Sequence, residues 1–132
     1  MQMQQHGQFD LYWQGDVLVV RYFGQWNRQA SEALHASVRG QWQQRGGRPW
    51  GMLSDLREWG GATPDALDAW WAFFADAARH DLLAVTDILP SLVHELMVRT
   101  IAEKAGSLAR YRNSHTIDEA LAWLHAQGLS TT

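Results

Sequence analysis

Trp50-Gly51-Met52-Leu53-Ser54-Asp55-Leu56-Arg57-Glu58-Trp59-Gly60-Gly61-Ala62-Thr63-Pro64-Asp65 contains the change of period that sets the fold. Its first seven residues, Trp50–Leu56, are mostly apolar, as in a strand buried on both faces. Gly60-Gly61 reads as the break. Thr63-Pro64-Asp65 then reads as a helix start: a hydroxyl to cap the free N–H groups, a proline in the first turn and a carboxylate at the positive end of the dipole. Beyond it Leu67, Trp70, Trp71, Phe74 and Ala78 recur at spacings of three and four, which predicts a helix over 64–79. Phe73 falls off that stripe, so it either widens the core face or offers an exposed aromatic to a partner. Strand, break and capped helix form one βα unit.

The flanking segments extend the pattern in both directions. Phe9–Trp13 alternates, Gln14-Gly15-Asp16 is a turn, and Val17–Phe23 is rich in β-branched and aromatic residues. This predicts a hairpin with the first strand at the sheet edge. Asn27 caps a helix over 28–45 whose stripe is Ala30, Leu34, Val38 and Trp42, stopped by Gly46-Gly47 and Pro49. On the C-terminal side, Leu82–Thr86 reads as a strand, 93–104 as a helix and Leu108–Arg112 as a weak strand. Thr116-Ile117-Asp118-Glu119 is a capping box opening a helix over 117–126. The order is β-β-α-β-α-β-α-β-α, without repeats. Leu67, Trp71 and Phe74 are expected to pack on Val17–Val20 and Leu53.

With 132 residues and 46% hydrophobic composition, the chain has material for one domain with a real core. We place that domain at 8–128, with 1–7 and 129–132 as flexible termini. A net charge of -3 argues against a general nucleic-acid or anionic-membrane surface. Without cysteine there is no disulfide, Cys-based zinc site or thiol nucleophile. The N-terminus lacks a signal-peptide pattern and no apolar run has the length of a membrane span, so a cytoplasmic protein without membrane insertion is expected. Eight tryptophans are many for this length. Trp buries a large area but needs a partner for its N–H, so it favours the border of a core.

Catalytic patterns fail one by one. His94-Glu95 starts like a zinc-protease helix, but Val98 stands where the second histidine must be. The remaining histidines share no ligand spacing, so no metal and no cofactor are expected. Ser54, His80 and Asp87 make a triad on paper, without the G-x-S-x-G elbow that exposes a nucleophile. The glycine pairs lack the lysine and spacing of a phosphate loop. What remains are the carboxyl ends of the second and third strands, the usual ligand side of an α/β sheet. They carry Trp26 and Asn27, and Arg57, Glu58 and Trp59. These five residues, read as neighbouring loops, form the candidate ligand- or partner-binding site, and the competing reading is that both Trp cap the core.

The hairpin opening, the Gly-bounded helix, the strand ending in Ser54-Asp55-Leu56-Arg57 and the late Thr116-Ile117-Asp118-Glu119-Ala120-Leu121-Ala122-Trp123-Leu124 together resemble STAS-like proteins, in particular the SpoIIAA-like group named after the sporulation anti-sigma-factor antagonist. The resemblance spans residues 8–128. It implies a single-domain α/β superhelix: a mixed sheet of four or five strands in nearly sequential order, an N-terminal hairpin and about four helices. It also implies a non-enzymatic regulatory or binding module that recognises a protein partner or a small apolar ligand. A small hydrolase built on the strand-end loops and a structural homodimer are the alternatives. Partner-switching members carry an Asp-Ser-x-Gly-like signature with a phosphorylated Ser where the third strand meets its helix. Here that region has no Ser. Thr63 is the hydroxyl nearest the helix start, and it reads as a cap rather than a phospho-switch.

Overall fold

The computed structural model describes residues 4–91, 99 and 103–132. Five strands, β1 (Gln8–Gln14), β2 (Val17–Trp26), β3 (Trp50–Ala62), β4 (Leu82–Ile88) and β5 (Arg110–Asn113), form one sheet in the order β1-β2-β3-β4-β5. β1 pairs antiparallel with β2, and every later pair is parallel. Three helices are described in full: α1 (Arg28–Gln43), α2 (Pro64–Ala78) and α3 (Ile117–Ala126). The mixed five-stranded α/β sheet with its opening hairpin is the architecture expected above. The helix expected over 93–104 lies mostly outside the described residues, although Glu103–Ala105 are helical.

The caps are those the sequence implies. The side chains of Asn27, Thr63 and Thr116 accept hydrogen bonds from the N–H groups of Ala30, Ala66 and Glu119, satisfying donors that the first helical turn leaves free. Among the described residues no helix is long and apolar enough to cross a membrane.

Alternation along the strands divides the core into two layers. Leu18, Val20, Tyr22, Met52 and Val85 face α1 and α2, where they meet Leu34, Val38, Phe73 and Phe74. Val17, Val19, Leu53, Ala84 and Ile88 face the opposite side and pack with Ala120, Leu124 and Leu129 of the α3 layer. The expected contact of Leu67, Trp71 and Phe74 with all of Val17–Val20 and Leu53 is therefore corrected. Successive strand residues point to opposite faces, so one helix reaches only every second one.

Helix α2 is rotated from the expected phase. Phe73 and Phe74 are fully buried, whereas Leu67, Trp70 and Trp71 are half-buried. Phe73 is thus a core residue and not an exposed aromatic. It faces α1, with its ring centroid 5.6 Å from that of His35.

The central strands are longer than expected. β3 runs through Gly60-Gly61 to Ala62, and β2 continues to Trp26. Irregular pairing from Phe23↔Glu58 to Trp26↔Ala62 carries this two-stranded extension past the end of β4, which stops at Ile88. Trp26, Arg57, Glu58 and Trp59, expected in loops, are strand residues. The hydrogen-bonding capacity of each backbone outweighs the local cost of two glycines.

The described residues near each chain end make specific contacts. Leu129 is buried, Asp16 N–H donates to Ser130 O at 2.8 Å, and Ser130 N–H donates to Asp16 Oδ2 at 3.0 Å. At the other end Gly7 has φ +103°, and a Cβ there would lie 2.6 Å from the Trp26 ring, so this approach requires glycine.

Phe73→Ala empties a fully enclosed site and is expected to cost about 3–5 kcal/mol. Trp71→Ala is expected to cost less than Phe73→Ala, because part of its ring is already in water. Denaturant unfolding of both variants checks the order.

Candidate functional site

Four parallel strands each contribute one polar side chain to the α1/α2 face at the level where β4 ends: Tyr22 from β2, Ser54 from β3, Asp87 from β4 and Tyr111 from β5. Ser54 and Asp87 are direct cross-strand partners. The Tyr22 and Ser54 hydroxyl oxygens lie 3.2 Å apart, and Tyr111 O–H donates to Asp87 Oδ2 at 2.6 Å. Asn113 Nδ2 donates to Asp87 Oδ1 at 2.8 Å. This row forms the floor of a cavity.

Helix α2 forms the roof with Ala66, Leu67, Trp70 and Phe74, and the β2–β3 extension forms a wall with Trp26, Trp59 and Ala62. The extension matters because it lifts two indole rings above the plane where the sheet would otherwise end. The cavity is partly open. The space between these elements amounts to about 620 Å³ with the solvent at its mouth included. Apart from the floor, the described lining is almost wholly apolar and largely aromatic.

The candidate residues divide. Trp26 and Trp59 are buried and line the cavity. The Trp26 indole donates to Phe23 O at 3.1 Å, which fixes the ring. Asn27 is turned elsewhere: besides capping α1, its side chain accepts from His6 N–H and donates to Gln4 O, so it clasps the N-terminal segment. Arg57 folds back on its own strand, with Nε and Nη2 donating to the Asp55 carboxylate at 2.9 and 2.8 Å. Glu58 is exposed and lies away from the cavity. Thr63 accepts from Ala66 N–H and donates to Asp65, as a cap does.

Tyr22, Ser54, Asp87, Tyr111 and Trp70 were not singled out together as site residues. The available signal was a hydroxyl or carboxylate within an apolar strand, as in Met52-Leu53-Ser54 and Ala84-Val85-Thr86-Asp87, since buried polar groups require partners. Ser54 and Asp87 do meet, but His80 does not join them. It lies beyond the other end of α2, stacked on Trp42 at 5.3 Å and hydrogen-bonded through Nδ1 to Asp76 O at 2.7 Å. The triad written from the sequence is not assembled. Among the described residues no cluster of three or more His, Asp or Glu side chains is placed to hold a metal ion.

The electrostatics follow from burial. Burial pushes the Tyr22 phenol up to about 12, and the Asp87 charge adds to this, so the group remains a neutral hydroxyl. Burial also pushes the Asp55 carboxyl up, but the hydrogen bonds and charge of Arg57, together with Arg21, outweigh it and hold the carboxyl below its ordinary value.

No family model matches the sequence, and no curated protein matches it. Solved structures do match its backbone. An uncharacterised protein of the DUF3478 family with a SpoIIAA-like fold, from Shewanella loihica, superposes with a TM-score of 0.70 at 13% identity, covering 94% of this chain and 98% of its own. The chain has a SpoIIAA-like fold. An anti-sigma factor antagonist from Mycobacterium paratuberculosis gives a TM-score of 0.64 at 13% identity, over 95% of this chain and 99% of that one. The phosphorylated form of the Bacillus cell-fate determinant SpoIIAA gives 0.55 at 14% identity, over 90% and 99%. At these identities the likeness concerns the fold. It leaves the aromatic cavity to be interpreted from this chain's own residues.

The Asp55 carboxyl titrates lower in the folded chain than its unfolded value of 3.8, so its stabilising effect is present above that value and is lost as pH falls through the lower folded one. The melting-temperature gap between the native chain and Asp55→Asn is expected to be largest near neutral pH and to close in acid. A gap that widens on acidification would contradict this assignment.

Proposed function

We propose that this SpoIIAA-like domain is a binding module whose cavity between α2, the β2–β3 extension and the ends of β4 and β5 takes a small apolar ligand. The observation that carries this reading is the cavity itself. Trp26, Trp59, Trp70 and Phe74 surround open space at the strand ends, where a sheet of this class usually binds its ligands. Such a volume lined by rigid aromatics gains contact area at little side-chain entropy cost when filled.

The described surface offers little apolar area for a docking face. Among the described residues the exposed large hydrophobics are Tyr12 and Leu108, one on the edge strand and one before β5, which is too little for an extensive apolar patch. Anti-sigma factor antagonists share the fold, which keeps regulation of a protein partner within this reading: a filled cavity is one way to change what the β2–β3 extension presents. Control by phosphorylation at Thr63 is disfavoured, since a phosphate there would sit beside the Asp65 carboxylate and remove the cap.

Ala62 lines the mouth and is half-buried, so Ala62→Phe fills the cavity from its rim. Small apolar rings such as toluene and methylcyclohexane are expected to shift the indole N–H resonances of Trp26, Trp59 and Trp70 in the native chain. In Ala62→Phe their affinity should fall by roughly an order of magnitude, corresponding to ~1.4 kcal/mol, while the melting temperature changes little. No shift with any ring, and no copurifying molecule in native mass spectrometry, would overturn the ligand-site reading.

A further inference from the structure

On the cavity floor the chain from Trp70 through Tyr22 to Ser54 has three donor protons and two hydrogen bonds to place them in. Trp70 Nε1–H donates to Tyr22 Oη at 3.1 Å, and Tyr22 Oη lies 3.2 Å from Ser54 Oγ. These three groups carry three protons: one indole N–H and two hydroxyls. The indole proton goes to Tyr22 Oη. One hydroxyl proton fills the bond between the two oxygens. Whichever hydroxyl gives it, the proton of the other has no acceptor among the described residues. Both oxygens are on side chains 2% exposed, and both residues line the cavity. Swapping the direction of the Tyr22–Ser54 bond only moves the surplus from one oxygen to the other.

The described charge beside this donor is a carboxylate. Asp87, in register with Ser54, is on the same floor, and its charge acts on Tyr22. The described lining holds no Lys, Arg or His. An anionic ligand would add a second negative charge beside Asp87, and no described lining residue is a cation to meet it, which is costly. A hydrocarbon fits the walls but leaves the hydroxyl proton without a partner. The Tyr22 phenol is also held neutral by burial, so the pair can supply its proton at any ordinary pH.

Resting on the ligand-site reading above, we infer that the cavity selects an uncharged apolar molecule bearing a carbonyl-type acceptor, whose oxygen takes the surplus hydroxyl proton of the Tyr22–Ser54 pair. Ketones, esters and amides share this chemistry. The body of the molecule contacts Trp26, Trp59 and Phe74, and its oxygen points down to the sheet. Selection is then a matter of proton supply at the floor and not of shape alone.

Four six-membered-ring probes of similar size separate the possibilities: cyclohexanone, methylcyclohexane, cyclohexanecarboxylate and cyclohexylammonium. Each is titrated into the full chain, with the indole N–H resonances as readout. Cyclohexanone is expected to bind roughly 3- to 10-fold more tightly than methylcyclohexane, the range of one net hydrogen bond. It should also show nuclear Overhauser contacts to Tyr22 and Trp70, and a downfield carbonyl-carbon shift on binding. The carboxylate should bind more weakly than either. Methylcyclohexane binding as tightly as the ketone would overturn the inference while leaving the ligand site intact, as would a preference for the carboxylate or the ammonium. Cyclohexanone bound without contacts to Tyr22 or Trp70 would overturn it as well. If none of the four binds in the cavity, the ligand-site reading falls, and this inference with it.

Discussion

A strand buried on both faces must be apolar in both directions, and β3 is the strand on which this constraint acts most strongly. Met52 and Leu53 point to opposite sides of the sheet and are each fully buried. Helices must therefore cover both faces, α1 and α2 on one and α3 on the other. Gly51 shows how closely the second layer sits: a Cβ there would meet Leu129 Cδ1 at 2.5 Å. Once both layers are in place, any polar residue on the central strands has to find its partner inside the protein. Ser54 finds Tyr22, Thr86 finds Ser114 at 2.6 Å, and Asp87 finds Tyr111 and Asn113. The cavity floor is a by-product of this requirement, where the partners pair with each other and leave room above.

The tryptophan content becomes intelligible in the same terms. Trp13, Trp26, Trp50 and Trp70 each give their indole N–H to a named acceptor, respectively Gln41 Oε1, Phe23 O, His80 O and Tyr22 Oη. They sit where apolar layers meet the ends of strands, so each ring fills core volume while its N–H reaches a polar rim. At one end of the sheet Trp13, Trp50, Trp42 and His80 form a packed series with centroid spacings of 5.9, 5.9 and 5.3 Å. At the other end Tyr22 packs on Trp26 at 5.0 Å and Trp70 on Phe74 at 5.5 Å, and these two pairs border the open space. The same residue type closes one end of the sheet and lines a cavity at the other.

How much of this was legible in the sequence depended on the range of the cause. Caps at Asn27, Thr63 and Thr116 are local chemistry and were readable. So was the order of strands and helices, because period 2 and period 3.6 differ within a few residues. The extension of β2 and β3 was not, since Gly60-Gly61 looks like a stop unless the partner strand is known. The phase of α2 was misread because Trp70, Trp71, Phe73 and Phe74 are all large and apolar, and only α1 and His35 decide which ring turns inward. Of the five candidate site residues, Trp26 and Trp59 line the cavity. Asn27 and Arg57 are taken up by the N-terminal segment and by Asp55, partners that their sequence context does not reveal. The polar floor needs the register of four strands, which no single segment encodes.

The bond from Ser130 N–H to Asp16 Oδ2 joins positions 114 residues apart. The same Asp16 carboxylate takes a hydrogen bond from Arg45, and Asp16 O accepts from Gly51 N–H. The first tight turn of the chain is thus completed by residues that leave the ribosome long after it does. During synthesis the hairpin has its local geometry but lacks the partners that fix it, and contacts at such separation form late because the loop-closure entropy must be met first. Until then the face of the sheet that carries Val17, Val19, Leu53, Ala84 and Ile88 is uncovered, so the nascent chain has an adhesive apolar surface until residues 117–130 arrive. The short segment after α3 acts as the latch that ends that interval.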